Sequence, residues 1–179
     1  MERSVELVVL TEVPGMGLVA VVRERGYYSI ERMKPALWPG GCQVTVHGKV
    51  EAGESLNDAL FREMREELGK EFADAVFVVD TLRRDAGKAP EETVREVNRL
   101  ETTEKSVVTF AVKADIYMLA TTMRLSVESG ALRFVRREEI SEIADLRSFD
   151  ITTGVPVRNV IAMFPDEREA VQKAFALFT

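Results

Sequence analysis

The segment from Gly48 to Lys70 constrains the fold more than any other part of the chain. Gly48 and Gly53 bracket a turn, and Ser55 with Asp58 forms a capping-box-like start for a helix. Gly69 suits the left-handed residue that stops one. The spacing predicts a helix from Ser55 to Leu68. At about 100° per residue, with Leu60 at zero, Leu56, Leu60, Met64 and Leu68 fall at roughly −40°, 0°, +40° and +80°. On the same wheel Glu63, Glu66 and Glu67 fall at roughly −60°, −120° and −20°. The carboxylates therefore overlap the edge of the apolar stripe instead of lying opposite it.

A solvated acidic helix explains this arrangement poorly. Like charges four residues apart, as in Glu63 and Glu67, cost about 0.2–0.5 kcal/mol even on an exposed surface. Partly buried carboxylates cost more unless something positive compensates them. Arg62 can pair with Asp58 or Glu66 but points away from Glu67, so it cannot neutralise the cluster alone. A bound Mg²⁺ or Mn²⁺ compensates the charge and also supplies a function. Such hard cations take oxygen ligands and bridge carboxylates to phosphate oxygens.

Around this helix the pattern is mainly β. Val5 to Leu10 and Gly17 to Val22 read as strands joined by a turn at Pro14-Gly15-Met16-Gly17. Residues 26 to 41 are loop-like, and Cys42 to His47 alternates as a half-buried strand. Ala75 to Leu82 is a strand candidate. Pro90 opens a helix carrying Val94, Val97 and Leu100. Lys105 to Tyr117 and Ala131 to Val135 are β-rich, Arg136 to Leu146 reads as helical, and residues 148 to 160 as irregular. A last amphipathic helix runs from about 165 to 178. The order indicates an α+β or mixed α/β architecture in one domain spanning 1–179, without internal repeats.

The formal net charge of −6 excludes a general nucleic-acid binder, which needs a surplus of Lys and Arg, so no stable nucleic-acid partner is expected. An acidic protein that handles a polyanion needs metal ions between the two. The single cysteine, Cys42, excludes an intramolecular disulfide framework. No apolar run reaches membrane-spanning length and no signal-peptide pattern stands at the N-terminus, so the expectation is a cytoplasmic protein without a membrane partner.

The segment resembles the signature box of the Nudix hydrolases: Gly, five residues, Glu, seven residues, then Arg-Glu-apolar-any-Glu-Glu-any-Gly-apolar. The fixed positions fall on Gly48, Glu54, Arg62, Glu63, Glu66, Glu67 and Gly69, with Met64 in the apolar slot. Lys70 departs from the pattern, at a slot that concerns packing just past the helix. Trp38-Pro39-Gly40-Gly41 is similar to a segment upstream of many such boxes, with extra residues in between, and Phe134 to Ile140 to a late strand-to-helix segment of the family. The resemblance implies an α/β/α sandwich around a mixed sheet, with 48–70 as a loop-helix-loop and an extra C-terminal helix. It implies hydrolysis of the diphosphate linkage of a nucleoside diphosphate derivative with Mg²⁺ or Mn²⁺. It also implies that Glu66, Glu67 and the Gly48 carbonyl are metal ligands, and that Glu63 is a further ligand or the base for the attacking water. Arg62 and Glu54 pair to orient the helix. The residue types suit this chemistry, because clustered carboxylates can hold the cations that neutralise a diphosphate and acidify water.

Many family members place another acidic residue far from the box. Glu128 is the first candidate here, with Glu101 and Glu104 behind it; each also reads as an ordinary exposed loop glutamate. Cys42 reads as a small buried residue, though isopentenyl diphosphate isomerases of this fold use a cysteine and a glutamate. His47 is either a phosphate contact or a hydrogen-bonded structural residue. Tyr27, Tyr28 and Trp38 either stack on a base or belong to the core. Asp85 to Lys105 reads as a substrate-covering insertion or a contact in a homodimer. Two alternatives to a hydrolase stay open: a Nudix-fold nucleotide-binding sensor that does not cleave, and an isomerase. The box reads diphosphate and metal; it does not specify the rest of the substrate.

Overall fold

Strand β1 (Glu2–Val13) is the axis of the molecule. Its side chains alternate between two apolar environments: Val5, Leu7 and Val9 enter one core, Val8 and Leu10 the other. A strand buried on both faces needs helices on both sides of its sheet, and the computed structural model shows that arrangement. It describes residues 1–30, 33–76, 94–122, 129–149, 157 and 159–178.

Along one edge of β1 runs the parallel strand β8 (Lys105–Lys113), in register from Glu2 opposite Lys105 to Leu10 opposite Lys113. Along the other edge β1 changes partner. Val9 to Val13 pair antiparallel with β2 (Gly17–Arg25), and Ser4 to Leu7 pair antiparallel with β6 (Val46–Lys49). The far end of β2 pairs with β5 (Cys42–Gln43), while β9 (Ser129–Arg136) covers its outer edge. Antiparallel β7 (Arg95–Glu101) closes the seven-stranded mixed sheet beyond β8. A two-stranded hairpin, β3 (Tyr28–Ser29) and β4 (Lys34–Pro35), stands apart.

The fork between β1 and β2 is held by one buried hydroxyl. Thr45 Oγ1 accepts from the Val9 N–H at 2.9 Å and donates to the Val21 carbonyl at 2.5 Å. This explains why Cys42 to His47 is not one continuous strand: it breaks at Thr45 into β5 and β6 so that the hydroxyl can pair both diverging strands.

Helix α1 (Leu56–Glu67) starts at Ser55, whose side chain accepts from the Asp58 N–H at 3.2 Å. It ends at Leu68, followed by Gly69 at φ +92°. Ala59, Leu60 and Met64 pack it onto Val5, Leu7 and Val46. Helix α2, described over 70–76, adds Phe72 to the same core. Helix α3 (Ile116–Thr122) adds Leu119. On the opposite face α4 (Pro165–Leu177) packs Val171, Ala174 and Phe175 onto Val8, Leu10 and Val22. The architecture is an α/β/α sandwich with the expected C-terminal helix.

Several local expectations are corrected. Ala75 and Val76 are helical, and the remainder of that strand candidate, 77–82, lies outside the described residues, as does Pro90. Val97 and Leu100 lie on strand β7 rather than a helix. The strand carries a bulge between Glu96 and Asn98, and the apolar residues around it serve both faces of the sheet, Val94 against one core and Val97 against the other, which spaces them three apart and mimics helical periodicity. Asp85 to Lys105 is accordingly no insertion over its described part, because that part is a sheet strand and its turn. The β-rich stretch from Lys105 stops at Lys113, where the Asp115 carboxylate accepts from the Tyr117 N–H at 2.7 Å and starts α3. Residues Arg137–Glu142 form a 3₁₀ helix only. Beyond it the Ala144 N–H donates to the Ile161 carbonyl, and β10 (Ala144–Asp145) pairs with β11 (Ala162–Met163). Among the described residues no helix is long and apolar enough to cross a membrane.

The fork yields a direct test. Thr45→Val preserves shape but leaves the Val9 N–H and Val21 carbonyl without their side-chain partner. Urea denaturation is expected to show a loss of about 1–3 kcal/mol, whereas a loss within error contradicts the role of Thr45 as the clamp.

Candidate active site

Gly48 ends β6 against α1, and the approach is so close that a Cβ there would lie 1.7 Å from the Glu63 carboxyl carbon. Only a glycine lets the Glu63 carboxylate occupy this place. Glu63 is 9% exposed, and its Oε1 accepts from Arg62 at 2.6 Å. Arg62 also grips Glu54 through two bonds of 3.0 and 3.1 Å and donates to the Lys49 carbonyl at 2.7 Å. One guanidinium thus ties the loop 48–54 to the helix with bidentate geometry, and the pairing holds the Glu54 carboxyl below its usual range. Asp58 is not a partner of Arg62 as expected: it accepts from the Ser55 hydroxyl at 2.6 Å.

Glu67 lies one turn further along the helix. It forms an ion pair with Arg23 of β2 and accepts from the His47 N–H at 3.2 Å. Desolvation raises the carboxyls of both Glu63 and Glu67 above the ordinary range. For Glu63 the like charges of Glu67 and Glu66 push the same way, while the adjacent arginines work against burial in both. Glu66 stands at the rim, its side chain 60% exposed and 3.7 Å from Arg62. The structure therefore joins Glu54, Arg62 and Glu63 in one bonded network packed against Gly48, holds Glu67 in a second with Arg23 and the His47 N–H, and leaves Glu66 at the solvent edge. Hard divalent cations take oxygen donors of this kind, but among the described residues the acidic and histidine side chains whose ligand atoms all lie within 4.8 Å of one another are Glu6, His47 and Glu167, not Glu63, Glu66 and Glu67.

Arg23 was not foreseen from the sequence, although a signal existed. It follows Val19 and Val21 on the inward face of β2, where a buried arginine needs a buried acid. With its amide oxygen turned toward the guanidinium, Gln43 accepts from Arg23 at 2.8 Å and supports it.

Of the candidates outside the box, Glu128 lies outside the described residues. Glu101 accepts from the Ser106 hydroxyl at 2.9 Å at the end of the β7–β8 hairpin. Cys42 is fully buried, and burial pushes its thiol up to about 11. Tyr27 and Tyr28 are exposed. The Trp38 ring meets Phe164 edge-on at 5.1 Å, and its indole N–H donates to the Phe149 carbonyl at 3.2 Å.

The His47 side chain points to the other face of the sheet, away from Glu63. Its Nδ1 lies 3.0 Å from Glu6 Oε1, and the Thr109 hydroxyl donates to Glu6 Oε2 at 2.6 Å. Glu167 from the first turn of α4 completes this group. It is 2% exposed, and among the described residues its Oε2 has no hydrogen-bond partner. Burial, reinforced by the charge of Glu6, pushes its carboxyl up to about 8.

The family model of the NUDIX domain matches residues 3–152. No curated protein matches the chain in sequence. Among solved structures, DR0079 from Deinococcus radiodurans superposes with a TM-score of 0.57 at 18% identity, over 97% of this chain and 83% of that one. A mutT/nudix family protein from Listeria innocua gives 0.58 at 15% identity, over 98% and 92%. The C. elegans Ap4A hydrolase in a binary complex gives 0.54 at 15%, over 98% and 96%. These likenesses establish the fold.

The glycine contact makes its own prediction. Gly48→Ala forces Glu63 or α1 to shift and is expected to cost about 1–3 kcal/mol in urea denaturation. Combining it with Glu63→Ala removes the clash, so the two effects should fall short of additivity; full additivity contradicts the contact.

Proposed function

Because the chain belongs to the Nudix family of pyrophosphohydrolases, we propose that it hydrolyses the diphosphate linkage of a nucleoside diphosphate derivative with Mg²⁺ or Mn²⁺ held at the 48–70 box. One observation carries this reading: Glu63 and Glu67 are kept in a half-buried cluster by a glycine that admits nothing larger and by one arginine each. Glu66, Glu67, Glu63 and the Gly48 carbonyl would hold the cation. When bound, it supplies charge neutralisation for the diphosphate and a lowered pKa for the attacking water.

The remaining work belongs to the chain itself. Arg62, bonded to Glu54, Glu63 and the Lys49 carbonyl, keeps the loop and helix in one geometry, which is where positioning catalysis begins. Glu63 is either a further ligand to the cation or, with its carboxyl raised above the ordinary range by burial, the base that accepts a proton from the attacking water. Glu128 is the acidic partner from outside the box in this reading. Cys42, buried with its thiol at about 11, is a poor acid–base group at neutral pH, which counts against an isomerase. A cytoplasmic setting fits a chain whose lone cysteine is buried.

The test is phosphate release, coupled to a phosphatase, across nucleoside diphosphate derivatives with Mg²⁺ or Mn²⁺. Ap4A, named for the nematode neighbour, belongs in the panel. At least one member is expected to turn over, and Glu66→Gln or Glu67→Gln to lower kcat by about 100-fold or more. Unchanged turnover in both variants sinks the assignment. Tight nucleotide binding without cleavage of any member transfers it to a sensor.

A further inference from the structure

On the face of the sheet opposite the box, we propose a second metal site, formed by Glu6, His47 and Glu167 and selective for a transition-metal dication such as Zn²⁺. One ligand atom from each of the three residues lies within 4.8 Å of the others, close enough for small side-chain movements to close them on one ion. The independent sign of a missing ligand is Glu167, 2% exposed with an orphaned Oε2. Arg25 acts on this carboxyl through its charge but leaves Oε2 without a hydrogen bond among the described residues, and an unpaired carboxyl oxygen at that depth is costly until a cation or donor meets it.

The donor chemistry chooses the ion. Two carboxylates and an imidazole suit Zn²⁺, Co²⁺ or Mn²⁺, whereas Mg²⁺ prefers oxygen alone. Glu6 is already oriented by the Thr109 hydroxyl at 2.6 Å, the kind of outer contact that fixes a ligating carboxylate. The group borders a cavity of about 350 Å³, which gives an ion a path from solvent. Its walls add Glu2, Glu104 and Asp166 to the two ligand carboxylates, against the cations Arg25 and Lys105. Acidic side chains outnumber Arg25 and Lys105 around the cavity, which favours entry of a dication, and a dication there would favour the ionised form of Glu167.

The site has a mechanical consequence. His47 sits next to Gly48 on β6, and its backbone N–H holds Glu67 at 3.2 Å. An ion on His47 therefore ties α4, through Glu167, to the strand that leads into the box.

His47 is the only histidine in the chain, so its ring nitrogens report on this site alone in untagged protein. The experiment is a Zn²⁺ titration followed by ¹⁵N NMR of that ring. The expected result is saturation near one equivalent with the shift of a coordinated nitrogen, in wild type and in Glu66→Gln alike. Glu167→Gln and Glu6→Gln should abolish the shift, and Thr109→Val should weaken apparent affinity by about 10- to 100-fold. An imidazole that stays unchanged in wild type overturns the proposal, whatever the variants do. A response that survives Glu167→Gln overturns it too. Hydrolysis by the box is read separately, so either reading can fail without the other.

Discussion

A carboxylate pressed against a glycine governs the rest of this molecule. Glu63 can sit where it does only because Gly48 has no side chain, and it can stay only because Arg62 meets it at 2.6 Å. The same guanidinium reaches Glu54 and the Lys49 carbonyl. Strand end, loop and helix are thereby one unit, and a half-buried charge cluster becomes tolerable. Burial of this kind costs stability unless each charge is met. The chain meets Glu63 with Arg62 and Glu67 with Arg23, and leaves Glu66 in water. Glu66 faces the open side of the cluster.

Strand β6 borders both acidic groups because of its pleat. Gly48 faces α1 and Glu63, while His47, one residue earlier, sends its ring to Glu6 on the other face. The backbone N–H of His47 meanwhile bonds Glu67. Few bonds therefore separate the two faces, and whatever fixes His47 also fixes the approach to the box. The Thr45 clamp just upstream sets the start of β6 by holding the fork between β1 and β2.

How much of this could be read from the residues differed by region. Helix α1 was legible from end to end, since its cap, stop and apolar stripe are local signals that agree with one another. So was the placing of Glu63 and Glu67 along its buried edge, whereas Glu66, expected there too, stands in solvent. The partner of Glu67 was not legible, because Arg23 lies 44 residues away and meets it only through the sheet. Strand β7 reads as a helix because the apolar residues around it serve both faces of the sheet, with Val94 and Val97 three apart in opposite cores. The Arg137–Glu142 segment was over-extended because Ala144 gives its N–H to Ile161, a distant choice that no local pattern announces. The Glu6–His47–Glu167 group was invisible for the same reason, its members coming from β1, β6 and α4. Local order is written locally; charge compensation across a sheet is not.

In the proposed function the 48–70 box is the cation centre. Crystals soaked in Mn²⁺ and measured at its absorption edge test it most directly, because anomalous density locates the ion without reference to activity. The account predicts density among the Gly48 carbonyl, Glu63, Glu66 and Glu67. A saturated crystal with no density there, from protein that still cleaves a diphosphate, would contradict it.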